Sequence, residues 1–138
     1  MNRRYMLDTN TVSYIVKGKS RAARAKLMGL ALDEVACISA ITEAEVRYRL
    51  AKSASAPDLR SAMDGFLTKI QILAWGHEEA VVYGELRAQQ ERAGKTLGNL
   101  DLLIAAHAIA AGAVLVTSDT AFSHVPDLRG IENWATDL

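Results

Sequence analysis

Four acids, Asp8, Glu45, Asp101 and Asp119, are the residues of this chain whose types and positions could do chemistry together. Asp8 ends the apolar run Tyr5-Met6-Leu7, and Thr9 and Asn10 follow it before a new apolar pattern, Val12-Ser13-Tyr14-Ile15-Val16, begins. This order predicts a buried strand, a turn and a helix start, with the acid at the strand's carboxyl end, where open α/β sheets bind their ligands. Asp119 repeats the arrangement just after Val114-Leu115-Val116-Thr117. Parallel strands share one edge, so both acids should reach it. Glu45 and Asp101 each fall in the first turn of a helix expected to start near that edge.

Each acid also has a purely structural use. Asp8, Asn10 or Thr11 could cap the first helix, Thr42 and Glu45 have the Thr-x-x-Glu capping-box spacing, and Asp101 could be an N-cap or an early-turn acid set against the helix dipole. Asp119 could cap Thr120-Ala121-Phe122. Together the acids ask for more. Two carboxylates ~4 Å apart repel by about 4 kcal/mol at an effective dielectric of 20, so acids converging on one cleft call for a cation or for protonation. An all-oxygen cluster without nearby histidine or cysteine suits Mg²⁺, with Mn²⁺ as a possible substitute, better than zinc. Such an ion is held by one or two carboxylates plus substrate phosphate oxygens, which favours phosphodiester hydrolysis.

The elements that must position these acids can be read in order. After the first strand and helix, Lys17-Gly18-Lys19-Ser20 is a break, and Arg21 to Leu30 has the content of a second helix. Val35 to Ser39 reads as a second buried strand, followed by a helix from Thr42 to about Ser53 with Ile41, Ala44, Glu45 and Tyr48 at helical spacing. Ser53 to Pro57 is a small-residue linker, with Pro57 at the first turn of a helix through Phe66. Ile70 to Leu73 is a third strand, and Glu78 to Ala93 a helix ended by Gly94. Asp101 opens Leu102 to Ala111, apolar almost all round, which predicts a central buried helix stopped by Gly112. Val114 to Thr117 is the fourth strand and Ile131 to Trp134 a last short one. This alternation predicts an α/β fold, a three-layer α/β/α sandwich around a parallel sheet of four to five strands.

With 138 residues, half of them apolar, the chain has the size of a single domain over 1–138. Sixteen basic and 16 acidic residues cancel, so whole-molecule attraction to a polyanion is not the design. The N-terminal quarter is nonetheless locally basic, with Arg3, Arg4, Lys17, Lys19, Arg21, Arg24 and Lys26 against Asp8 alone before Asp33. The single cysteine, Cys37, cannot form an intrachain disulfide and reads as a small core residue. No apolar stretch approaches the ~20 residues of a membrane span, so a cytoplasmic protein is expected.

The motifs carrying the acids resemble those of the PIN domain, and within it the VapC-type ribonuclease toxins of bacterial toxin–antitoxin pairs. Met6-Leu7-Asp8-Thr9-Asn10 resembles the family's opening motif, and Ile38-Ser39-Ala40-Ile41-Thr42-Glu43-Ala44-Glu45-Val46 its second, whose last Glu falls on Glu45. Leu100-Asp101-Leu102-Leu103-Ile104-Ala105-Ala106-His107-Ala108 resembles the third, and Leu115-Val116-Thr117-Ser118-Asp119-Thr120-Ala121-Phe122 the fourth. The terminal Val125-Pro126-Asp127-Leu128 and Glu132-Asn133-Trp134 also fit. The resemblance implies that Asp8, Glu45, Asp101 and Asp119 form the metal-binding catalytic cluster of an endoribonuclease, with Thr9, Asn10 and Thr117 beside it orienting carboxylates or substrate. It implies an RNA substrate, a homodimer, and a VapB-like antitoxin that covers the cleft and is the only route to operator DNA. Arg49 departs from the family, which often has glycine four residues after the motif Glu. This puts close helix packing in question and adds a cation near the groove. Arg21, Arg24, Lys26, Arg47 and Arg49 are the candidates for contact with RNA.

Other features read as structure. Gly94-Lys95-Thr96 lacks the first glycine and the preceding strand of a phosphate-binding loop. His107 lies roughly 240° around the helix from Asp101 and reads as a packing histidine. Glu43 is one turn from Arg47, an i,i+4 surface pair, and Trp75 and Trp134 read as core or interface anchors. Two rival functions remain: an aspartyl-phosphate phosphatase or receiver with Asp8 as nucleophile, for which Asn10 stands where a second acid is wanted, and a non-catalytic partner in an antitoxin–operator DNA complex.

Overall fold

The computed structural model describes residues 3–53, 56–95 and 97–138. The elements follow in the order β1 (Arg3–Leu7), α1 (Thr9–Val16), α2 (Arg21–Met28), β2 (Glu34–Ser39), α3 (Ala40–Lys52), α4 (Pro57–Lys69), β3 (Gln71–Leu73), α5 (His77–Arg92), α6 (Asn99–Ala111), β4 (Val114–Val116), a 3-10 turn (Thr120–His124) and β5 (Ile131–Glu132). The strands form one five-stranded sheet in the order β3-β2-β1-β4-β5, and every pairing is parallel. Helices cover both faces, as the alternation of strand and helix predicts.

Side chains along β1 point alternately to the two faces. Tyr5 and Leu7 enter a core with Val12 and Ile15 of α1, Val46 of α3, and Met63 and Leu67 of α4. Met6 enters the other, with Cys37 of β2, Leu86 of α5, and Leu102, Ile104 and Ala105 of α6. Burying each of these large side chains contributes about 1.5–3 kcal/mol. Cys37 is fully buried, and burial pushes its thiol pKa up to about 12, so it stays a protonated packing group. α6 is the buried central helix its composition predicts, and Gly112, at φ +61, ends it in the left-handed conformation. Trp134 is buried with its ring 5.5 Å from that of Tyr5, and the Trp75 indole N–H donates to the Leu103 carbonyl at 3.0 Å.

Several boundaries differ from expectation. α3 starts at Ala40 rather than Thr42, because the hydroxyl of Ser39 caps it by accepting from the Ile41 N–H at 3.0 Å. Thr42 is therefore inside the first turn and fully buried, and the capping box with Glu45 does not form. α6 likewise starts at Asn99, so Asp101 is in its first turn and is not the N-cap. α4 runs on to Lys69, past Phe66, while β5 stops at Glu132, short of Trp134. Within the expected linker Ser53 to Pro57, Ala54 and Ser55 lie outside the described residues, as does Thr96 of Gly94-Lys95-Thr96.

Candidate active site

The register aligns the strand ends. Met6 pairs with Cys37 and Leu7 with Val116, which sets Asp8, Ser39 and Thr117 in one row along the carboxyl edge of the sheet. All three are buried, Asp8 to 6 % exposure. Asp8 does cap α1: one carboxylate oxygen, Oδ1, accepts from the Thr11 N–H at 2.9 Å. The other, Oδ2, accepts from the Thr117 hydroxyl at 2.6 Å. That hydroxyl accepts in turn from the Asp119 N–H at 3.0 Å, so Thr117 links the two strand-end acids. Asp119 caps the 3-10 turn by accepting from the Ala121 N–H at 2.9 Å.

The two helix acids are held differently. Glu45 accepts from the Thr9 hydroxyl at 2.9 Å, which ties α3 to the start of α1. Its second oxygen lies 3.7 Å from the Arg49 guanidinium one turn on. Arg49 also reaches the Ser13 hydroxyl at 3.4 Å, so an arginine side chain spans α1 and α3. Asp101 is half-buried in the first turn of α6, and its carboxyl is raised above the ordinary carboxylate range. Burial is the largest cause, followed by the negative charges of Asp119, Asp8 and Glu45. The field at Asp101 thus registers all three other acids, drawn from β1, α3 and the segment after β4.

These oxygens fit a hard, strongly hydrated cation. Among the described residues no three His, Cys, Asp or Glu side chains already form an ion cage. An ion that keeps most of its waters and takes one or two carboxylates needs no such cage. The mutual repulsion felt at Asp101 is what a cation would relieve.

Of the neighbours, Thr9 and Thr117 reach the acids, while Asn10 is exposed one residue into α1. Of the basic candidates, Arg49 approaches the acids and Arg47 pairs with Glu43 at 2.8 Å. Arg21 and Arg24 are exposed on α2. Lys26, near the end of α2, acts on Glu34 at the first residue of β2, which is the opposite edge of the sheet. His107 stands apart from the acids, its Nδ1 2.7 Å from the Ser39 hydroxyl. That hydroxyl also accepts from the Ile41 N–H at 3.0 Å, so Ser39 joins His107 to the start of α3. Burial lowers the imidazole pKa, and the ring is a neutral packing group. Ser39 and Thr11 are members of the edge that sequence reading missed as a unit. The available signal was position, since Ser39 ends β2 as Asp8 follows β1.

The PIN-domain family model matches residues 5–128. The chain belongs to the PIN-domain family. It is 39 % identical over 131 residues to ribonuclease VapC2 of Rickettsia felis, covering 94 % of this chain and 97 % of that protein. It is 33 % identical to the tRNA(fMet)-specific endonuclease VapC of Salmonella typhimurium, covering 95 % and 98 %. Among solved structures, VapBC2 from Rickettsia felis bound to a DNA fragment from their promoter contains a chain that superposes with a TM-score of 0.89 at 38 % identity, covering 95 % of this chain and 98 % of that one.

Proposed function

We propose that this PIN domain is a Mg²⁺-dependent endoribonuclease, the toxin of a toxin–antitoxin pair. The observation that carries this reading is the half-buried Asp101, whose carboxyl is raised above the usual range by burial first and then by the charges of Asp119, Asp8 and Glu45. Kinship with proteins named ribonuclease and endonuclease supports RNA as the substrate. A bound divalent ion would supply a water of lowered pKa and neutralise charge on the scissile phosphate. The chain's own residues do the positioning. Thr117 and the Thr11 N–H fix both oxygens of Asp8, Thr9 turns Glu45 toward the edge, and the Ala121 N–H holds Asp119. Asp101, without a side-chain donor among the described residues, carries the least compensated charge. Aspartyl-phosphate chemistry fits less well, because Asn10 leaves no second acid two residues after Asp8.

The whole chain acts as one functional domain, a homodimer in the cytoplasm. A VapB-like antitoxin covers the acid edge and carries the pair to operator DNA, a reading supported by the likeness to VapBC2 on promoter DNA. The test is cleavage of total RNA by the purified protein with Mg²⁺ or Mn²⁺, with EDTA, and after Asp8→Ala. Cleavage should require the ion and Asp8. Activity indifferent to both EDTA and Asp8→Ala would overturn the metal-site reading.

A further inference from the structure

Thr9 and Ser13 lie one turn apart on α1, and Glu45 and Arg49 lie one turn apart on α3. Side chains four residues apart share a helix face, and here the two faces meet in a closed ring. The Thr9 hydroxyl donates to Glu45 Oε1 at 2.9 Å, and Glu45 Oε2 lies 3.7 Å from Arg49 Nη2. Arg49 Nη1 closes the ring by donating to the Ser13 hydroxyl at 3.4 Å.

The ring is tight at one end and loose at the other. Thr9 is buried and its hydrogen bond has ordinary length, so Oε1 is held by a group fixed to the core. The Arg49 side chain is 47 % exposed, and both of its contacts are long for their kind. An exposed pair at such a distance contributes little to the fold, so moving the guanidinium costs little. Among the described residues, Glu45 is also the one member of the four acids in ion-pair contact with a basic side chain. A cation carried by the chain itself therefore stands at an oxygen that a divalent ion would use.

We propose that Arg49 is an internal counter-cation that competes with the divalent ion for Glu45 Oε2 and so sets how tightly the acid cluster binds that ion. This rests on the metal-site reading and deepens it. Like charges on one oxygen repel, so each weakens the other's hold. Thr9 stays on Oε1 and keeps Glu45 positioned, while the loosely held guanidinium is the partner that gives way.

The test is a titration of the EDTA-stripped, RNA-free protein with Mn²⁺ alone, the free ion being followed by electron paramagnetic resonance. Arg49→Ala should tighten Mn²⁺ binding roughly two- to fivefold, the range an exposed ion pair supplies. Lys17→Ala controls for net charge. Lys17 is exposed, lines the same small cavity as Arg49 and Ser13, and makes no ion pair among the described residues, so its loss should leave the affinity unchanged. In a Glu45→Gln background the gain from Arg49→Ala should vanish, because the charge being competed for is gone. Coupling is reciprocal, so the ion must also loosen Arg49. In ¹H–¹⁵N NMR of the unaltered protein the Arg49 Nε–H should shift saturably with Mg²⁺, a readout that serves even where Glu45→Gln no longer binds the ion. Affinity unchanged or weakened by Arg49→Ala would overturn the inference, as would equal tightening by Lys17→Ala, a gain that persists in Glu45→Gln, or an unmoved Arg49 resonance. Mn²⁺ binding indifferent to Arg49 removes this inference alone. No Mn²⁺ binding by the unaltered protein removes the metal-site reading and the inference with it.

Discussion

The acids at the strand ends and those at the helix starts occupy one edge of the sheet under different constraints. Asp8 and Asp119 accept hydrogen bonds from the backbone that follows them, each capping the next segment. Glu45 and Asp101 cap nothing, and Asp101 is left with burial and the charges of the other acids. The strand-end acids thus serve folding and the candidate site at once, whereas the carboxyl of Asp101 opposes folding when ionised. A cluster of like charges persists because half of it is held by local chain geometry.

The sharpest way to break this contrast is Asp101→Asn. It should lower RNA cleavage by on the order of a hundredfold, a barrier increase of roughly 2.7 kcal/mol. Because the folded carboxyl is raised above its ordinary value, its ionised form destabilises the fold above that pKa, and the burden eases as pH falls through it. The variant should therefore unfold no earlier than the parent in EDTA at neutral pH, gaining on the order of 0.5 kcal/mol at most once solvent screening is allowed for. It should also lose most of the rise in Tm that millimolar Mg²⁺ gives the parent. A variant clearly less stable than the parent in EDTA would make Asp101 a structural acid.

Asp8→Ala should do the reverse to stability. It strips the cap from the Thr11 N–H and leaves the buried Thr117 hydroxyl without its acceptor, a loss of about 2 kcal/mol in urea unfolding. Stability within a few tenths of a kcal/mol of the parent would dissolve the distinction between the two kinds of acid. The smallest effect belongs to His107, a polar group on the same sheet edge but outside the acid cluster. Its lowered pKa means that its contribution is complete above the ordinary value of 6.5 and is lost as pH falls below it. His107→Gln should flatten the acid side of the stability profile by less than about 1 kcal/mol, with the difference appearing only below that pH.

Much of this edge was legible because the cues are local. An apolar run ending in an acid marks Asp8, and the repeat of that pattern marks Asp119. Capping and site formation looked like alternatives in the sequence, yet in Asp8 one oxygen caps while the other meets Thr117, 109 residues away. The capping-box reading of Thr42 and Glu45 failed because Ser39, a strand residue by pattern, starts the helix earlier and turns Thr42 inward. The cluster of basic residues near the N-terminus likewise divides on folding. Lys26 goes to the far edge by Glu34, and Arg49, from a different helix, comes to Glu45.

The sequence by itself determined the alternation of strands and helices, the parallel sheet, the all-apolar central helix and the placement of acids at strand ends and helix starts. Periodicity and strand-end position are properties of neighbouring residues. Only the tertiary structure decided which partner each oxygen of Asp8 takes, and that Asp101 bears the charge of the other acids with no donor of its own among the described residues. Those outcomes depend on burial and on distances between groups far apart in the chain, and packing alone sets both.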